Sequence, residues 1–155
     1  MSLDDDIDLI ASAPVFSQLS AEQLRLLAFG AERMTFRSGR TIFRQNDAAD
    51  CGYVIADGTI HLFVETEQGA KFVKEIGRPS LVGQIALITQ TDRSTTAVAD
   101  TDCALLRINR SLFQRMLREY PETAAAIHGY LRRELETMLA DIGKLQSRFA
   151  VVRDL

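Results

Sequence analysis

Cysteine, histidine and proline are scarce in this chain: two, two and three among 155 residues. Cys51 and Cys103 stand far apart, so a disulfide scaffold is not indicated, and two small buried thiols in a reducing compartment are expected. His61 and His128 form no His-x-His pair, so no metal centre of clustered histidines is expected. No Ser/His/Asp grouping, Walker loop or Cys-x-x-Cys stands out, and an enzyme is therefore not the expectation. A basic excess is also missing. Lys and Arg number 18 against 21 Asp and Glu, a formal charge of -3, which argues against a dedicated nucleic-acid surface. There is no apolar run of membrane-spanning length. The acidic start, Asp4-Asp5-Asp6, has the wrong sign for an export or transit signal and reads as a solvated helix start. A cytoplasmic protein with no membrane partner is expected, of a length and 46% apolar content that suit one domain with one core.

What is present falls into three textures. Residues 1–30 read as helical. A short helix covers 4–12, and Ser20 with Gln23 has capping-box spacing ahead of a helix from Ala21 to Phe29, which Gly30 is expected to stop. From 31 to 108 the period drops to two. The runs 33–36, 41–43, 53–55, 59–64, 71–76, 95–99 and 103–108 are rich in branched and aromatic residues, with turn signals between them. This points to an all-β sandwich or barrel. From 110 to 149 the period is helical again, with Ser111 as a cap for Leu112–Leu117, a break at Tyr120-Pro121, and a long helix to Phe149.

The stretch 83–97 carries the chemistry. Gly83 lets backbone approach a ligand closely, or simply makes a turn. The helix-forming run from Ile85 to Ile88 would aim free N–H groups at an anion, with Ile85 and Ala86 contributing backbone only. Arg93 offers a fork of donors to that anion, unless it is a surface-loop arginine beside Asp92. Ser94 can hydrogen-bond the same anion or a base edge, or merely start a strand. The stretch resembles the phosphate-binding cassette of the cyclic-nucleotide-binding domain family: Gly-Glu-x-Ala-Leu, a short loop, then Arg followed by a small residue. Earlier segments are similar too. These are Pro14-Val15-Phe16 with Leu19-Ser20, the run Gly39 to Asp47, and Tyr53 to Gly58, so the likeness covers roughly 13–140. In the second, Asn46 stands where the family has a turn glycine, and asparagine tolerates positive φ better than most residues.

The resemblance implies a mainly-β fold, a jelly-roll β-roll flanked by an N-terminal helical bundle and C-terminal helices. It implies cyclic AMP or cyclic GMP bound inside the roll by Gly83, Gln84, Ile85, Ala86, Arg93 and Ser94, and a signal passed through the C-terminal helix to another protein. Gln84 departs from the pattern. The family has glutamate there, accepting from the ribose 2′-hydroxyl, and a neutral amide accepts more weakly. The other reading is a ligand-free interaction module. The resemblance also implies that the long helix caps the pocket, with Thr137 and Met138 nearest the base. Its stripe Leu135, Met138, Ile142, Leu145, Phe149 has coiled-coil spacing. That stripe serves either a homodimer or packing on the chain's own roll. Gene regulators of the family carry a helix-turn-helix after this helix. Only residues 150–155 follow here, so DNA binding by that route is not expected.

Overall fold

The computed structural model describes residues 2–78 and 80–154, with side chains as far as residue 144. Helix α1 (Leu3–Ser12) is capped reciprocally: the Ser2 hydroxyl accepts from the Asp5 N–H, and the Asp5 carboxylate accepts from the Ser2 N–H. Asp6 corrects the expectation of a solvated acidic start. It is buried, with Oδ2 2.8 Å from Arg33 Nη2. A tight turn at Pro14–Phe16 leads to α2 (Ala21–Gly30), where Ser20 and Gln23 form the expected capping box. The helix ends at Gly30, as expected, with the glycine as its last residue. A Cβ there would lie 2.7 Å from Leu112 Cδ2, so the glycine makes room for a helix far along the chain.

Among the described residues ten strands follow: β1 (Glu32–Phe36), β2 (Thr41–Phe43), β3 (Ala48–Ala49), β4 (Cys51–Asp57), β5 (Ile60–Thr66), β6 (Gly69–Ile76), β7 (Leu81–Val82), β8 (Thr91–Asp92), β9 (Thr96–Ala99) and β10 (Cys103–Asn109). One sheet runs β1-β10-β4-β7 and the other β2-β9-β5-β6, with β3-β8 as a small third, all antiparallel. This is the mainly-β roll with helices at both ends that the sequence implied. Helix α3 (Arg110–Glu119) starts two residues earlier than expected, with Asn109 rather than Ser111 at its cap. Helix α4 (Pro121–Asp154) begins on the proline, which loses nothing at the first helical position. None of the described helices is long and apolar enough to cross a membrane.

Alternation explains why β4 and β10 are apolar on both faces. Ile55 and Leu105 point into the roll, where they meet Phe43, Tyr53, Ile60 and Leu62. Val54, Leu106 and Ile108 point outward and are covered by Ile10, Phe16, Leu27, Phe113 and Leu131 from the helices. Strands buried on both faces thus join two cores, and α4 takes its position from the outer one.

Candidate ligand-binding site

Between the roll and α4 lies a cavity of about 670 Å³, within the size range of small-molecule sites. Its floor is set by a turn. Asn46 has φ 74°, its N–H donates to the Arg93 carbonyl at 2.8 Å, and the Arg93 N–H donates to the Asp47 carbonyl at 2.8 Å. The residue that replaces a turn glycine therefore adopts the glycine's conformation, and the turn clamps Arg93 by its backbone.

The Arg93 side chain enters the roll and is only 7% exposed, which excludes the surface-loop reading. Its Nη2 donates to the Cys51 carbonyl at 2.8 Å, and Cζ lies 4.2 Å from the centroid of Phe43. Among the described residues no carboxylate pairs with it. A guanidinium has five N–H donors, and all the hydrogen bonds it makes here leave from Nη2. A buried cation with donors to spare and no counter-ion is costly unless an anion arrives. Gly83 sits against the same group: φ is 75°, and a Cβ would overlap Arg93 Nη1. Both space and backbone therefore require glycine.

Gly83 opens a short 3-10 turn, Gln84–Leu87. The Ala86 N–H donates to the Gly83 carbonyl at 3.3 Å, which leaves the Gln84 and Ile85 N–H groups ahead of the turn's own bonds. Ala86 is thereby less available as a donor than its sequence position suggests. Arg110, at the start of α3, holds this turn from behind. Its Nε donates to the Ala86 carbonyl at 2.8 Å and its Nη2 to the Ala49 carbonyl.

Helix α4 roofs the cavity with Tyr130, Glu134 and Met138, four residues apart and so on one face. Ser94 Oγ lies 3.3 Å from Met138 Sδ, and Gln84 Nε2 lies 3.5 Å from Glu134 Oε2. Burial, and then the Glu134 charge, push the Tyr130 phenol above its ordinary pKa, so it stays a donor. Thr137 needs correcting: it is exposed, its hydroxyl donates to the Arg133 carbonyl at 3.1 Å, and it does not line the cavity. The proposed seam also turns inward here. Leu135 and Met138 line the cavity and Ile142 is buried within the chain. Leu145 and Phe149 lie outside the described side chains.

A profile of the Cyclic nucleotide-binding domain matches residues 33–120. The chain belongs to this family. It is 32% identical over 103 residues to the cAMP-dependent protein kinase regulatory subunit of Eremothecium gossypii, covering 66% of this chain and 22% of that protein. Patatin-like phospholipase domain-containing protein 7 of Rattus norvegicus is 30% identical over 105 residues, covering 67% of this chain. The chain spans only 8% of that relative's length. Among solved structures, a cyclic nucleotide-binding-like protein from Brucella abortus is 47% identical with a TM-score of 0.67, and the match covers 74% of this chain and 99% of that one.

Gly83, Gln84, Ile85, Ala86, Arg93 and Ser94, named from the sequence, all line the cavity. Four neighbours of the site carry no sequence signature: Phe43, Cys51, Arg110 and Glu134. Each reaches the site from a different strand or helix, and no local spacing announces it. Away from the cavity, folding brings His61 Nε2 to 2.8 Å from Glu75 Oε1 and 3.4 Å from Asp100 Oδ2, a grouping that sequence spacing did not suggest.

Tyr53 lines the inner core beside Arg93. Burial, then the neighbouring Cys51 thiol, push its phenol up to about 12, against the lowering pull of Arg93. The folded protein therefore keeps this proton where the unfolded chain, titrating near 10, has lost it. Stability is whole below about pH 10 and should fall by roughly 2 kcal/mol between there and about pH 12. Urea unfolding across that range checks this. Tyr53→Phe should flatten the decline, and an equal decline in both proteins would reject the assignment.

Proposed function

We propose that this protein is a non-catalytic sensor of one domain, spanning 1–155, that binds cyclic AMP or cyclic GMP inside the roll and signals through α4. One observation carries the reading: Arg93, buried and with no carboxylate partner among the described residues, faces a cavity of nucleotide size. A cyclic phosphodiester bears a single negative charge, and one desolvated guanidinium matches it. The Gln84 and Ile85 N–H groups add neutral donors at the same end, and Ser94 adds a hydroxyl. The base would then lie toward Met138. Calorimetric titration with both nucleotides tests the reading, and absence of heat with either rejects it.

The ligand-free module is the second reading. The Ser94–Met138 and Gln84–Glu134 contacts favour it, because they already hold α4 against the cassette. The same titration separates the two. In the sensor reading these contacts exchange for ligand contacts, and only such differential contacts shift a population. Pairing with a second copy belongs to this proposal. A nucleotide that shifts α4 would turn Leu135 and Ile142 toward a partner helix. Light scattering should then show mass rising toward a dimer on adding nucleotide. An unchanged mass at high micromolar concentration would remove the dimer. A cytoplasmic location and an unidentified downstream protein complete the proposal.

A further inference from the structure

The side chains of His61, Glu75 and Asp100 meet on the outer face of the β2-β9-β5-β6 sheet. His61 stands in β5 between Ile60 and Leu62, whose side chains fill the inner core, so its ring lies on the opposite face. Glu75 is directly across from it on β6, and Asp100 follows β9, which pairs with β5 along its other edge. Backbone bonds hold all three in place: β5 is paired on both sides, and the Asp100 N–H donates to the Thr59 carbonyl at 3.0 Å. Phe72 braces the imidazole, with ring centroids 5.1 Å apart and an interplanar angle of 73°. The His61 side chain is 25% exposed, so solutes reach it. Its Nε2 is 2.8 Å from Glu75 Oε1 and 3.4 Å from Asp100 Oδ2. That nitrogen carries at most one proton and cannot fully satisfy two carboxylates.

We propose that these three residues form a binding site for a divalent first-row transition metal, with zinc the best fit. The proposal stands apart from the cyclic-nucleotide reading. One donor atom from each residue lies within 4.8 Å of the others. Donors bound tetrahedrally to zinc at about 2.0–2.2 Å stand about 3.3–3.6 Å from one another. The separation of His61 and Asp100 already has that value, and small movements of the exposed carboxylates close the rest. Two carboxylates with a neutral imidazole balance the charge of a dication. The imidazole nitrogen favours zinc over magnesium or calcium, which take oxygen donors. Three protein donors leave the fourth position to water or to a donor from another molecule. Of the three residues only Glu75 also lines the cavity, so the site lies beside the ligand pocket and not within it. A bound metal would clip β5, β6 and the end of β9 together.

The test is calorimetric titration of the full chain, free of any polyhistidine tag, with zinc chloride. Wild type should bind one equivalent. His61→Ala should weaken binding by at least about tenfold to a hundredfold, a loss already typical when only an outer partner of a metal ligand is removed. Glu75→Gln, which keeps the shape and loses the charge, should weaken it as well. His128→Ala is the control, because His128 is the chain's only other histidine and is exposed, and its zinc affinity should equal that of wild type. Cobalt(II) should give visible absorption without the thiolate charge-transfer bands that Cys51 or Cys103 would add. Zinc should raise the melting temperature of wild type and not that of His61→Ala. Should His61→Ala fail to fold, Glu75→Gln decides, and an unchanged affinity there overturns the proposal. If wild type takes up no zinc, the cluster is an ion pair only and the proposal falls. Equal affinity in wild type and His61→Ala, or thiolate bands with cobalt, puts the metal elsewhere and overturns it too.

Discussion

Replacing Arg93 by methionine is expected to remove cyclic-nucleotide binding while leaving the fold about as stable as before. Removing one partner of a buried charge pair costs about 2–5 kcal/mol, or at least about thirtyfold in affinity. In the free protein the balance is different. Arg93 is buried without a counter-ion among the described residues, and its desolvation is offset by the Cys51 carbonyl and the Phe43 ring. Methionine gives up a cation–π contact of about 0.5–2 kcal/mol and a hydrogen bond of about 1.5–3 kcal/mol. It also relieves the burial of an uncompensated charge, a term of the same size and opposite sign. Urea unfolding should therefore find the variant within about 1 kcal/mol of wild type, a balance seen where sites trade stability for function. Equal binding heats for the two proteins would reject the role of Arg93. A large loss of stability would make it a structural residue instead.

The contrast between these two measurements shows what sequence could and could not say. Features encoded by neighbours along the chain were legible. The capping box at Ser20 and Gln23, the positive φ at Asn46 and the seven longer strands all have local causes, and all stand where expected. The two-residue strands β3, β7 and β8 were not legible, because so short a pairing leaves no period to detect. The packing of Gly30 and the burial of Asp6 were missed for another reason. Their surroundings are Leu112 and Arg33, brought in from elsewhere by the fold. The same holds within the site. Gly83, Gln84, Arg93 and Ser94 are close in sequence and were found together. Glu134 is supplied by α4, and its role depends on how that helix lies across the roll. The apolar stripe of α4 was consistent with two partners, and only the packed structure assigns its inward face to the roll.

Phe113→Ala is expected to be the most destabilising single change of those considered, at about 3–5 kcal/mol. The ring is fully buried, and its centroid lies 5.8 Å from that of Phe16 at an interplanar angle of 50°. It sits where α3, the Pro14–Phe16 turn and the outward face of β4 and β10 meet. Those layers are rigid on the strand side, so the void cannot collapse and the cavity cost adds to the lost transfer energy. Against a typical total of about 5–15 kcal/mol, a large fraction of the protein's stability is at stake. The damage should reach the site as well, because Arg110 lies one turn before Phe113 and holds the cassette turn through the Ala86 carbonyl. Ile127 and Leu131, which anchor the start of α4, belong to the same cluster. Phe72 is the control: it is the same residue type on the β5–β6 hairpin but 50% exposed, so Phe72→Ala should cost less than about 1 kcal/mol. Denaturant midpoints for the two variants decide the matter. Similar losses for both would mean that the outer core does not carry the fold. With the ranking as stated, saturating nucleotide should recover part of the Phe113→Ala loss by mass action, about 2.7 kcal/mol at a hundredfold excess over Kd.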